Sequence, residues 1–124
     1  MIVGFGVDAV FIPRFEKWTG NQKLLERFFD PEEIRACRER GEGMINSLAA
    51  RFAAKEAFGK ALGTGFSGFG LKDVVVKNRA GKAPVMELSG KALNLIREKG
   101  AVNVHLSLTH ERDIAFAAVI LESI

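Results

Sequence analysis

Four charged residues, Arg51, Lys55, Glu56 and Lys60, lie in a stretch that otherwise has no polar face. Stepping about 100° per residue from Met44, Ile45, Ala49, Phe52 and Ala53 share one arc. Leu48, Phe58, Gly59 and Leu62 share the next, and Ala50, Ala54, Ala57 and Ala61 fill the remainder. A helix that is apolar all round is a buried helix, and charges inside it need partners. Two readings are open. Either Glu56 and Lys60 form an ordinary i,i+4 pair while the other charges snorkel, or the charges converge on a ligand at one end of the helix, together with a metal ion.

Asp8 ends the apolar stretch at Gly6-Val7-Asp8. It either caps the following helix or faces a helix carboxylate. The second arrangement is how a hard cation such as Mg²⁺ is held, by one or two carboxylates plus substrate phosphates. In Ser107-Leu108-Thr109-His110, alternation puts Ser107 on the face opposite Leu106 and Leu108, and His110 falls just past the strand. A lone histidine in a turn is commonly surface decoration, and His105 has no motif around it. A triad of Ser107, His110 and Asp113 is excluded, because three members so close along one hairpin do not meet the required geometry.

The elements that must position these groups follow from pattern and punctuation. Met1 to Val7 is β-branched and aromatic and predicts a strand. Pro13 suits the first turn of a short helix from about Phe11 to Trp18, and Leu24 to Phe29 continues as helix. Asp30-Pro31-Glu32-Glu33 is a helix start, with a capping aspartate, proline at the first position and acids at the positive dipole end. The main helix begins near Asn46 or Ser47 and runs to Leu62, followed by a glycine-rich loop, Gly63 to Gly70. Strands are predicted at Asp73–Asn78 and Val85–Leu88 around a turn at Ala80-Gly81-Lys82. Ser89 is set to cap a helix from Gly90 to Lys99. Ala101–Leu108 and Ile114–Leu121 form a closing hairpin across polar residues 109–113. Helices cluster first and strands mostly follow, so the fold class is α+β, with helices packed on a largely antiparallel sheet.

The chain has 124 residues, 48% of them apolar, with 13 Gly and 3 Pro. That is one domain, 1–124, with a packed core and no disordered or fibrous character. Net charge is +3, spread along the chain, which permits anionic partners without naming one. The single cysteine, Cys37, cannot form an internal disulfide, and no Cys/His set has zinc spacing. With no basic leader and no apolar run long enough to span a bilayer, the expectation is a soluble, cytoplasmic protein without a membrane partner.

Three segments, taken together, carry a resemblance. They are Gly6-Val7-Asp8-Ala9-Val10-Phe11-Ile12-Pro13-Arg14-Phe15-Glu16, then Arg51-Phe52-Ala53-Ala54-Lys55-Glu56-Ala57-Phe58-Gly59-Lys60-Ala61-Leu62-Gly63-Thr64-Gly65, then Val104-His105-Leu106-Ser107-Leu108-Thr109-His110 with Ala115 and Ala117. In order and spacing this set resembles the holo-acyl-carrier-protein synthases, the short type of 4′-phosphopantetheinyl transferase, over nearly the whole chain. Thr109 stands where serine is more usual, and Gly81-Lys82-Ala83-Pro84 carries an extra alanine in a common Gly-Lys-Pro turn.

The resemblance implies transfer of the 4′-phosphopantetheine arm of coenzyme A to a serine of apo acyl carrier protein, releasing adenosine 3′,5′-bisphosphate. It implies that Asp8 and Glu56 hold Mg²⁺ on the pyrophosphate, and that a metal-bound water or one of these carboxylates is the base. It assigns Lys60 to the pyrophosphate, with Lys55 a second candidate. Arg51 and His110 are candidates for the adenosine end and its 3′-phosphate, with backbone N–H donors from Gly63-Thr64-Gly65 beside it. Arg14 is a candidate contact for the acidic carrier protein. It also implies a homotrimer with active sites between subunits. Two other classes compete with this reading. Gly68-Phe69-Gly70-Leu71 faintly resembles the aromatic strand of an RNA-recognition motif, but no Lys/Arg stripe accompanies it, so no nucleic-acid partner is expected. A non-catalytic coenzyme A-binding or structural subunit is the second, and retention of both carboxylates and Lys60 argues against it.

Overall fold

The computed structural model describes residues 1–78 and 81–124. The apolar N-terminal stretch is strand β1, Ile2–Phe11. It is four residues longer at its C-terminal end than the pattern predicts, because it pairs along its length with the last strand, β5, Ile114–Glu122. Asp8 therefore sits within the strand opposite Ala117 and caps no helix. A 3-10 helix, Ile12–Trp18, follows, with Pro13 in its first turn. Helix α1, Gln22–Phe28, is capped by the Asn21 side chain, which accepts from the Leu24 amide at 3.1 Å. Helix α2, Pro31–Arg38, starts after the predicted Asp30 cap, which the Glu33 side chain completes into a capping box.

Helix α3, Met44–Leu62, starts ahead of Asn46 and Ser47, with no side-chain cap. Strands β2, Val74–Lys77, and β3, Val85–Leu88, form a separate antiparallel hairpin. The turn predicted at Ala80-Gly81-Lys82 lies partly outside the described residues. The Ser89 side chain accepts no hydrogen bond from the first amides of helix α4, Gly90–Glu98, contrary to the predicted cap. Strand β4, Asn103–Glu111, is also longer than expected. Its pairing with β5 continues to Glu111 opposite Ile114, which shortens the link to Arg112 and Asp113 and brings His110 into the strand.

The α+β class with antiparallel pairing stands, but the strands divide into a β1-β5-β4 sheet and the β2-β3 hairpin. Alternation along β1 turns Gly4, Gly6, Asp8 and Val10 toward α3, and β5 adds Ala115, Ala117, Val119 and Leu121. The two glycines decide how close the layers come. A Cβ on Gly6 would overlap the Ala57 carbonyl oxygen, and one on Gly4 would overlap that of Ala61. Strand β1 thus lies directly on the backbone of α3. The other side of α3 meets Phe15, Leu25, Phe29, Ile34 and Val74, all 4% exposed or less. This explains why the helix shows no polar face. The outer face of the sheet is uncovered and apolar, with Phe5, Val7, Phe11 and Phe116 exposed. No helix among the described residues is long and apolar enough to cross a membrane.

Candidate functional site

Because β1 lies on the backbone of α3, the side chain of Asp8 reaches Glu56 and Lys60, the two residues in the C-terminal half of the helix that are not buried. Asp8 is 7% exposed, and its Oδ1 accepts from Lys60 Nζ at 2.8 Å. Lys60 also donates to the Val7 carbonyl at 3.1 Å. Neither reading of the helix charges is fully met, since Lys60 pairs across to Asp8 rather than along the helix to Glu56. Asp8 Oδ2 is buried and receives no donor. Asp8 is close enough to Glu56 for its carboxylate to act on the Glu56 carboxyl. Burial raises the Glu56 pKa first, and the neighbouring Asp8 carboxylate raises it further, while Arg14 and Lys60 oppose the rise.

Two hard oxygen donors forced together, one with an unfilled lone pair, suit a divalent cation. No group of three or more His, Cys, Asp or Glu side chains that could hold a metal gathers among the described residues. A cavity of about 230 Å³ opens beside the carboxylates, lined by Glu56, Lys60, Gly65 and Phe66. Arg14 is exposed at this end, with its guanidinium carbon 5.1 Å and 5.3 Å from the centres of the Phe15 and Phe52 rings.

Arg51 and His110 meet elsewhere. Arg51 is 2% exposed, donates to Ser47 Oγ, and leaves Nε without a partner. With His110, Arg40, Asn46 and Asn78 it lines a second cavity of about 200 Å³. Arg51 and Glu56 are five positions apart on the helix, a rotation of roughly 140°. The two ends of the predicted site therefore occupy different faces of α3 within one chain. A buried, half-satisfied guanidinium is suited to an anion.

Two predicted groups are corrected. Lys55 does not reach a ligand cavity. It is fully buried and its three ammonium hydrogens are taken by Glu33 Oε1 at 2.8 Å, the Leu71 carbonyl at 2.8 Å, and the Val74 carbonyl. Burial lowers its pKa, and the Glu33 charge opposes this. Glu33 is itself completed by the amides of Asp30 and Val76, both at 3.1 Å. The backbone donors expected of Gly63-Thr64-Gly65 are likewise committed. All three amides point back to the Gly59 carbonyl, at 3.1, 3.2 and 3.1 Å, and close the end of α3. Phe69 is 8% exposed, its ring centre 5.3 Å from that of Phe58, so it offers no face for stacking a base. Pattern reasoning missed Ser47, Glu33 and Phe66. A buried lysine calling for an acid was the one available signal for Glu33.

The model of the 4′-phosphopantetheinyl transferase superfamily matches residues 4–119. A holo-[acyl-carrier-protein] synthase of Treponema denticola is 53% identical over 122 residues, covering 98% of this chain and 99% of the relative. Among solved structures, the holo-[acyl-carrier-protein] synthase of Neisseria meningitidis superposes with a TM-score of 0.88 at 33% identity, covering 99% of this chain and 100% of the other. That of Bacillus anthracis, in complex with CoA (3′,5′-ADP), gives a TM-score of 0.81 at 35% identity, covering 100% and 99%.

Proposed function

This chain belongs to the 4′-phosphopantetheinyl transferase superfamily, and from that premise we propose that it is a holo-acyl-carrier-protein synthase acting on coenzyme A and apo acyl carrier protein in the cytoplasm. The observation that carries the reading is the buried Asp8 beside Glu56, with one free carboxylate oxygen and Lys60 bonded to the other. The serine hydroxyl oxygen of the carrier attacks the phosphorus that bears the pantetheine arm. The bond from that phosphorus to the bridging oxygen breaks, and adenosine 3′,5′-bisphosphate leaves. The serine proton passes to a base at the carboxylate end.

Asp8 and Glu56 would hold Mg²⁺, which when bound supplies neutralisation of pyrophosphate charge. Lys60, on an exposed side chain, turns from Asp8 to the phosphate oxygens. Arg51 and His110 bind the 3′-phosphate end, with Ser47 fixing the Arg51 guanidinium. Arg14 faces the acidic carrier protein. Lys55 and the Gly63–Gly65 amides take no part, being committed to the fold.

The two cavities lie on different faces of α3, so a coenzyme A molecule that uses both kinds of contact needs a second copy of the chain. A homotrimer with sites between subunits meets that need, and the apolar outer face of the sheet supplies a surface for it.

The test is to incubate the protein with coenzyme A, Mg²⁺ and apo acyl carrier protein and weigh the carrier. A gain of the pantetheine arm is expected, and no gain would favour a non-catalytic coenzyme A-binding subunit. Asp8→Ala and Glu56→Ala should each keep the fold, by circular dichroism, and lose transfer by at least about a hundredfold, as removal of several kcal/mol of charge stabilisation demands. Full activity in either variant would sink the metal assignment.

A further inference from the structure

We propose that Phe66 is a specificity-determining residue, the wall against which the pantetheine arm lies while its phosphate is held at Asp8, Glu56 and Lys60. The inference rests on the phosphopantetheinyl transfer reading and extends it to a part of the ligand that the charged groups do not touch. Phe66 is the aromatic member of the cavity formed with Glu56, Lys60 and Gly65. It is 38% exposed, so it is not spent on the core.

Its position is fixed by the chain around it. Gly65 folds back on α3, where a Cβ on Gly59 would overlap the Gly65 carbonyl oxygen. The amides of Gly63, Thr64 and Gly65 anchor the turn on the Gly59 carbonyl. The Phe66 ring then stands nearly perpendicular to Phe52 and Phe69, with centroids 6.0 and 6.4 Å away. A ring held in this way meets a ligand at little further entropic cost.

The chemistry of the arm identifies the occupant. The pantetheine arm is bonded through one ester oxygen to the phosphorus that transfers. Its first segment beyond that oxygen carries a quaternary carbon with two methyl groups. With the phosphorus at the carboxylates and Lys60, those methyls must lie within a few ångströms, and Phe66 is the apolar side chain there. Adenosine 3′,5′-bisphosphate lacks the arm and makes no use of this wall.

The experiment compares binding of coenzyme A and of adenosine 3′,5′-bisphosphate by titration calorimetry in Mg²⁺, for the parent, Phe66→Ala and Phe66→Leu. Phe66→Ala should weaken coenzyme A roughly tenfold, the size expected for losing one partly exposed apolar contact, and leave the bisphosphate unchanged. Phe66→Leu should recover most of the loss. Equal weakening of both ligands would overturn the proposal in favour of a loop-folding role, and the bisphosphate arm serves as the fold control. Unchanged coenzyme A binding, with a raised KM for the carrier alone, would overturn it in favour of a carrier-docking role. If the parent bound neither ligand, the transfer reading itself would fall, and this proposal with it.

Discussion

Glu56 is a carboxyl held against another carboxyl. Its pKa is raised by burial first and by Asp8 next. A carboxyl raised in the folded state favours folding most when protonated. That contribution is complete below the ordinary carboxylate range and is lost as pH rises through the raised value. Without metal, Glu56→Gln keeps the neutral form at every pH. Its Tm in EDTA should exceed the parent's by about 2 °C at neutral pH once solvent screening is allowed for, and the gain should vanish in acid. A difference that does not change with pH would show that the carboxylates do not repel. At this scale Asp8, Glu56 and Lys60 were legible, because charges in an apolar setting demand a reason. Lys55 looked the same in sequence. What separates it from Lys60 is Glu33, 22 positions away and brought near only by the packing of α2 on α3.

Among the elements, α3 does most of the positioning, and its charges divide between the site and the fold. The Lys55–Glu33 pair joins α3 to the capped start of α2, to the carbonyl of Leu71, and to β2. Lys55→Met would leave Glu33 buried and charged, with a cost of about 3–5 kcal/mol, read as a fall in the urea midpoint. Adding Glu33→Gln should return part of that loss, since the double variant buries no charge. Failure of the second change to recover anything would mean that packing, not charge, sets the cost. The start of helix α2 was legible to the residue, because Asp30-Pro31-Glu32-Glu33 is a local signal. The lengths of β1 and β4 were not, because strand ends are set by the partner strand. Nor was the fate of the Gly63–Gly65 amides, since an N–H looks free until the helix end that claims it is in place.

For the whole molecule, the uncovered sheet face and the split site lead to the same expectation. Sedimentation equilibrium should give the mass of three chains. Phe5→Lys, at a position 59% exposed in the single chain, should leave each chain folded and shift the mass to one copy. Transfer should fall at least tenfold in parallel, although no residue of either cavity has changed. A trimer that persists with full activity would remove the sheet face from the interface. The antiparallel α+β class could be read from element order alone, whereas the division into two sheets could not, because it depends on which edges meet. The pairing of β1 with β5 also bears on how the protein is made. Asp8 leaves the ribosome early, but its strand partner, Ala117, follows more than a hundred residues later. Long-range strand pairing is slow and must wait for its second half. A nascent or truncated chain without β5 therefore has no strand to align Asp8 beside Glu56, and under the proposed function such a chain would not consume coenzyme A.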